Sequence, residues 1–326
     1  MGLNLVRKTL CLVKSEVSYG TDPTPSSSVD SMIVFGDGNI MKPDVKLIER
    51  RPLRKSLTRG KRGIGRHKWN FTPQTILMSK GVSAGFGAPF FGPLLKASGL
   101  AAASGSGGGS SSTVYTPTSD LPVSATAWVY ADGLLKKANG IYGGFQLKLP
   151  AGDDPTLNFT MDGRYNEPTT VAFPAAPTYP NDNSTMVQSM GLAIGGWGDA
   201  QGLVCREIML DWGTTRPDRG SVNHTFGFKG THITDRDPFM EFLFEFEDTL
   251  VNKNFWAEIS AGTSSNAITA THGDGVQSRI VISATTPQPV SITPEDDNGI
   301  RMMRVRYGLQ SITDEGELSI SFVEKT

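Results

Sequence analysis

Cysteine is nearly absent. The 326 residues contain two, Cys11 and Cys205, far apart and in neither a disulfide framework nor a zinc-binding spacing, so they read as free, packed thiols. Histidine is scarce too. His67, His224, His232 and His272 show no HExxH spacing and no neighbouring cysteine ligands, so no metal is expected. Net charge is lacking: 31 Lys and Arg against 32 Asp and Glu leave −1. Nothing pulls the whole chain toward nucleic acid or a membrane, and any electrostatic role must be regional. A long apolar run is also missing. The nearest candidate, GFGAPFFGPLLKASGL (Gly85–Leu100), is interrupted by two prolines, four glycines and Lys96, whereas a spanning helix needs about 20 predominantly apolar residues. The apolar stretch before Lys14 is shorter than a secretory signal requires, and Val6 stands where a myristoylation signal wants Ser or Thr. No GxSxG elbow occurs, and RGKRGIG lacks the order of a phosphate-binding loop. GSGGGSSS follows a helix pattern instead of joining a strand to one. No catalytic residue, cofactor or membrane contact is expected.

What is present is β-pattern. Short β-branched and aromatic runs are punctuated by Gly, Pro, Ser and Thr every eight to twelve residues or so, which predicts a mainly β fold. Strands are expected near Val45–Glu49 and Trp69–Met78, and clean alternation at Leu157, Phe159 and Met161 marks a half-buried strand. Asp132-Gly133 suits a tight hairpin turn. Within the interrupted apolar stretch, Pro89 suits a first helical turn, Phe90, Phe91, Leu94 and Leu95 share a face, and Gly99 suits a left-handed C-terminus. A second helix is expected over Thr249–Ala261, anchored by Val251, Phe255 and Ile259 and closed by Gly262.

The order of elements restarts after a proline-rich segment, EPTTVAFPAAPTYP (Glu167–Pro180). Each half offers a strand pair, one helix, a Ser-rich turn and a closing hairpin, with NGI at Asn139–Ile141 matching NGI at Asn298–Ile300. The division expected is an N-terminal arm (1–40), a first module (41–166), a Pro-rich linker (167–200) and a second module (201–326).

One region is strongly charged. KPDVKLIERRPLRKSLTRGKRGIGRHK (Lys42–Lys68) holds eleven Lys and Arg against Asp44 and Glu49. Phosphate contact, docking onto an acidic face of a sister subunit, and a solvated hairpin are the readings open to it. Aromatic residues for base stacking are missing between Arg50 and His67, so docking ranks first. The candidate contacts are Arg50, Arg51, Arg54, Lys55, Arg59, Lys61, Arg62 and Arg66. The acidic counterpart candidates are Asp235, Asp237, Glu241, Glu245 and Glu247. The acidic runs near Glu295 and Asp314 read as solvated turns.

Four stretches carry a family resemblance: LCLVKSEVSYGTDPTP (Leu10–Pro25), PFFGPLLKASGL, TVYTPTSD with WVYADGLLKKANG, and LNFTMDGRY. Over Leu10–Tyr165 the chain resembles the tail tube proteins of long-tailed bacteriophages, in particular a larger, two-module type. The resemblance implies a structural virion protein built of tandem β-sandwich or barrel modules, each with one short amphipathic helix. It implies rings stacked around a channel for phage DNA, with region 50–68 as the inter-ring loop and the arm on a neighbouring subunit. Implied partners are further copies of the chain (three per ring with pseudo-sixfold symmetry, or six), other tail proteins such as tape measure and tail terminator, and DNA in transit. The implied location is the virion tail, after assembly in the host bacterial cytoplasm. A β-rich receptor- or carbohydrate-binding virion protein, stacking sugars on exposed tryptophans, is the alternative.

Overall fold

The computed structural model describes the chain except residues 1–4, 6, 37, 57, 79–87, 108–109, 121, 180–185, 199–201, 246–252, 263–266, 274–277, 312–314 and 326. The first half contains β1 (Thr9–Ser15), β2 (Ser31–Met32), β3 (Met41–Ile48), β4 (Gly63–Phe71), β5 (Gln74–Ile76), α1 (Gly92–Ala97), β6 (Leu100–Gly107), β7 (Ser110–Pro117), β8 (Ala125–Ala131), β9 (Leu134–Pro150) and β10 (Thr156–Tyr165). Then come β11 (Thr169–Thr170), β12 (Gly191–Ile194), β13 (Trp197–Gly198), β14 (Cys205–Asp211), β15 (Thr214–Thr215), β16 (Asp218–Gly220), β17 (Phe228–Thr231), β18 (Asp235–Arg236) and β19 (Phe239–Glu245). The chain closes with α2 (Phe255–Ala261), β20 (Ile268–His272), β21 (Ser278–Ala284), β22 (Gln288–Asp297), β23 (Ile300–Gly308) and β24 (Ser319–Lys325).

Two antiparallel sheets carry the fold. The larger has 13 strands and runs β2-β1-β8-β9-β14-β19-β23-β22, with β10, β5, β4 and β3 continuing from β9 on its other side and β11 at its start. The smaller has seven, in the order β13-β12-β20-β21-β24-β7-β6. Neither closes into a barrel among the described residues, so of the two expected forms the sandwich is found.

The long strand β9 organises this. β10 pairs along its length, from Ala138↔Tyr165 to Lys148↔Thr156. On the opposite border β8 occupies the first half, ending at Ile141↔Ala125, and β14 takes the rest, Gln146↔Asp211 to Pro150↔Glu207. β9 therefore joins the two halves of the chain in one sheet, and β24 against β7 does the same in the other.

Alternation puts Phe145, Leu147 and Leu149 of β9, Leu157, Phe159 and Met161 of β10, and Met303, Val305 and Tyr307 of β23 into one core shared by both halves. The helices wedge between the sheets. Phe91, the N-cap of α1, lies 6.4 Å from Phe159 of the large sheet and 5.8 Å from Phe322 of the small one. Phe255 of α2 lies 5.8 Å from Phe244 and 5.6 Å from Trp197, again one ring from each sheet.

Several expectations shift. α1 starts at Gly92 with Pro93 in its first turn, because the carbonyl of Pro89 already closes a turn onto the Gly92 N–H. Phe91, Leu94 and Leu95 are buried and Phe90 half-buried. In the second helix Phe255 is buried and Ile259 half-buried, Gly262 adopts the left-handed C-cap (φ 61°), and Val251 lies outside the described residues. The two NGI stretches are not equivalent. Asn298-Gly299 (φ 55° and 87°) makes the β22–β23 turn, and its counterpart is Asp132-Gly133 (φ 37° and 95°) between β8 and β9. Both pairs supply the two positive φ values of a type I′ hairpin turn. Gly140 sits instead inside β9. In the N-terminal segment, β1 pairs with β8 over seven residues of its own chain. Within 167–200, β11 pairs with β9, and β12 and β13 join the small sheet.

Candidate assembly surfaces

The basic stretch folds as a long hairpin. β3 and β4 pair from Met41↔Phe71 to Ile48↔Gly63, and the described residues between them form its largely exposed tip. Arg50, Arg51, Arg54, Lys55, Arg59, Lys61 and Arg62 are all on that tip. Glu49 holds Arg51 at 2.9 Å and Arg62 at 3.3 Å. At the root the charges are locked. Arg66 meets Asp218 at 2.7 Å, and Lys68 lies 3.1 Å from Asp162 and 3.2 Å from Asp218, with Arg216 3.5 Å from Asp162. Burial opposes the charge on Lys68, but Asp162 and Asp218 outweigh it and raise its pKa above the usual lysine range. The hairpin is thus clamped at its base to β10 and β16, and its far end reaches into solvent.

The acidic candidates divide. Asp235 and Asp237 are exposed, on and beside the short strand β18. Glu241 lies 3.9 Å from both Arg304 and Arg306, and Glu245 lies 3.3 Å from Arg206, so both have partners in their own chain. Glu247 lies outside the described residues. The outer face of β14, β19, β23 and β22 is a ladder of such pairs, completed by Arg206 with Asp297 and by Arg304 with Glu295 (2.6 Å) and Glu207 (3.7 Å). Exposed pairs of this kind contribute about 0–1 kcal/mol each. Their significance is the surplus: Glu207, Glu241, Glu245, Glu295 and Asp297 outnumber Arg206, Arg304 and Arg306.

A polar cluster that reasoning from residue spacing passes over holds the N-terminal segment in place. Glu16 is 5% exposed. It accepts hydrogen bonds from the Gly20 N–H (2.5 Å), the Ser124 and Thr126 hydroxyls (2.6 and 2.5 Å) and the Gly140 N–H (2.7 Å). Gly140 can turn its N–H inward because it adopts φ +61°, a conformation that strains any side chain and would crowd one against Tyr19. Tyr19 stacks on Tyr142 at 5.5 Å, with the Arg164 guanidinium 4.6 Å from its ring centre, and donates to Thr231 of β17. Asp22 accepts from the Trp128 indole (3.1 Å) and lies 3.7 Å from Lys137, which sits over the same indole. The signal was in plain view as EVSYGTD, but its partners, Gly20 apart, lie more than 100 positions away.

Residues 7–200, more than half of the chain, match the phage tail tube protein family. The chain belongs to that family. The matched segment spans β1 to β13, including the Glu16 cluster, the basic hairpin and α1. No curated protein matches the chain. As a tail tube family member it is a structural component of a phage tail. Among the described residues no helix is long and apolar enough to cross a membrane, and no group of three or more His, Cys, Asp and Glu could hold a metal ion.

Proposed function

We propose that this chain is the major subunit of a phage tail tube, polymerising into stacked rings whose bore carries the phage DNA. The observation that carries the reading is how the halves of the chain join. β14 extends the large sheet at the border of β9, and β24 extends the small sheet at the border of β7, while other sheet borders, such as β22 and β6, stay open among the described residues. Open borders are normally a liability for a protein that remains alone. In a closed ring each border is completed by the next module, and the in-chain joint is the pattern for the joint between chains.

On this reading three chains make a ring of six similar modules, and a ring of six complete chains is the other arrangement. The charged outer face of the large sheet lines the bore. Its carboxylate surplus suits transit, since a basic wall would hold phosphates by releasing their counterions. The basic tip at 49–62 belongs between rings, away from the DNA. Tape-measure and terminator proteins would meet the first and last rings, and assembly precedes release, in the host cytoplasm. No catalytic constellation is needed for any of this. The sugar-binding alternative gains nothing from the tryptophans: Trp69, Trp197 and Trp212 are buried and Trp128 lies under Lys137, leaving Trp256 at 42% exposure.

Negative-stain electron microscopy of the purified chain tests the reading. Hollow tubes or short stacks of rings are the expected result. Dispersed monomers at every concentration, with binding to glycans, would overturn it.

A further inference from the structure

The sequence NGI occurs twice, and its two Asn-Gly pairs stand in opposite surroundings. An asparagine followed by glycine has a reaction of its own. The glycine backbone nitrogen can attack the side-chain carbonyl carbon of the asparagine, and glycine carries no Cβ to obstruct the approach. The reaction needs room to close a ring, a base for the amide proton and access of water.

Asn139-Gly140 is closed to it. Asn139 pairs with Arg164 inside the long strand β9, and its Oδ1 accepts from the Asn166 amide at 2.9 Å. Gly140 is buried, and a Cβ there would stand 3.0 Å from the Tyr19 ring. Backbone and side chain are both fixed, and the nitrogen is shielded from water.

Asn298-Gly299 is open. Both residues are exposed at the β22–β23 turn. No described atom beyond the chain neighbours lies within 4 Å of where a Cβ would stand on Gly299. Two carboxylates address the reacting atoms. The Gly299 N–H donates to Asp296 Oδ1 at 3.3 Å, and Asn298 Nδ2 donates to Asp297 Oδ1 at 2.7 Å. Arg206 holds the other oxygen of Asp297, which keeps that acceptor in place. A base therefore sits on the nucleophile, at a reach that tightens as the nitrogen attacks, and an anchor sits on the group that leaves.

We propose that Asn298 is a site of self-modification, with Asp296 as its general base. The Gly299 nitrogen bonds to Cγ of Asn298 while its proton passes to Asp296. The Cγ–Nδ2 bond breaks, Nδ2 takes up that proton and leaves as ammonia, and a five-membered succinimide remains. Water then adds to one of the two ring carbonyl carbons. Opening the ring at Cγ yields aspartate. Opening it at the original peptide bond yields isoaspartate, whose main chain is one methylene longer. Nothing is oxidised or reduced.

The two products differ in consequence. Asp132-Gly133 turns the β8–β9 hairpin with φ 37° and 95°, close to the 55° and 87° of Asn298-Gly299, so an aspartate fits such a turn. Isoaspartate does not keep that spacing, and it loosens the end of β22, an outer strand of the large sheet. Either product adds a negative charge beside Glu295, Asp296 and Asp297.

Peptide mapping of the purified full-length chain, held folded in mildly alkaline buffer, tests the site. Mass spectrometry with electron-transfer fragmentation distinguishes asparagine, aspartate and isoaspartate at each position. Both products should accumulate at position 298 while Asn139 stays intact, and unfolding in urea should let both asparagines react. D296N should slow the reaction of the folded chain about tenfold or more. Its rate should also climb more steeply with hydroxide than the parent's, because hydroxide then replaces the lost base. The other charged groups around the turn are Asp297 and Glu245, both on Arg206, Glu295 on Arg304, and Arg301, which pairs with Asp296 in strand register. They are the same in both proteins. Asn298 that stays intact in the folded chain while the unfolded chain reacts would overturn the proposal. So would equal reaction at Asn139, or a D296N chain that reacts as fast as the parent.

Discussion

At the scale of single residues, Glu16 is the most constrained group described. A buried carboxylate is tolerated when its lone pairs are satisfied, and here four donors from three separate segments converge on it. Glu16→Ala leaves those donors stranded and should cost about 3–5 kcal/mol, a large fraction of the ~5–15 kcal/mol that keeps a typical domain folded. Glu16→Gln places an amide where only acceptors fit and should lose less, about 1–3 kcal/mol. Urea denaturation of the two variants measures both, and an Ala variant as stable as the parent would contradict the role given to Glu16. Two other groups set an alkaline limit. Burial pushes the Cys205 thiol from 9.0 up to about 12, and burial, then neighbouring Tyr19, pushes the Tyr142 hydroxyl from 10.0 up to about 12. Each holds its proton more tightly in the folded chain than in the unfolded one. Their contribution is therefore complete below about pH 9 and disappears as the pH climbs toward 12. The urea midpoint should be flat from pH 7 to 8.5 and fall steadily by pH 11. Cys205 should resist alkylation at pH 8 until the chain is unfolded.

At the scale of elements, the hairpin and the first helix have opposite duties. α1 is six residues long and has no side-chain cap, so propensity does not explain it. It exists because Leu94 and Leu95 are buried between the sheets. Leu94→Ala should cost about 2–5 kcal/mol, measurable as a lower thermal midpoint. The described residues of the tip bury almost nothing. Replacing residues 49–62 by a short Asn-Gly turn should leave the circular dichroism spectrum and thermal midpoint nearly unchanged and abolish tube formation. A shortened hairpin that still stacks would remove the tip from the assembly. These two elements were also the legible ones. The i, i+4 apolar spacing with a closing glycine announced α1, and a cation-rich stretch between two β-patterns left an exposed hairpin among the readings open to it. The alternation at Leu157, Phe159 and Met161 read directly as a core-facing strand. The repeated NGI misled, because Gly140 serves a carboxylate 124 positions away and does not turn the chain. The strand β12 was hidden in what reads as a linker, since four residues give too short a period to stand out. That Glu241 and Glu245 are occupied by Arg304, Arg306 and Arg206 depends on cross-strand register, which single-strand patterning does not encode.

At the scale of the whole molecule, the halves are welded by backbone pairing, not tethered by a hinge. β9 with β14 and β7 with β24 place residues of both halves on each sheet around one core. Unfolding should be a single transition, with tryptophan fluorescence and circular dichroism giving coincident midpoints. The proposed tube rests on the same pairing being offered at the sheet borders left open among the described residues. The direct test is a three-dimensional cryo-electron microscopy reconstruction of the polymer. The account predicts a hollow tube with three chains per ring, in which the large sheet continues from chain to chain around the bore. A tube whose subunits touch through side chains alone, with sheet borders facing solvent, would contradict it.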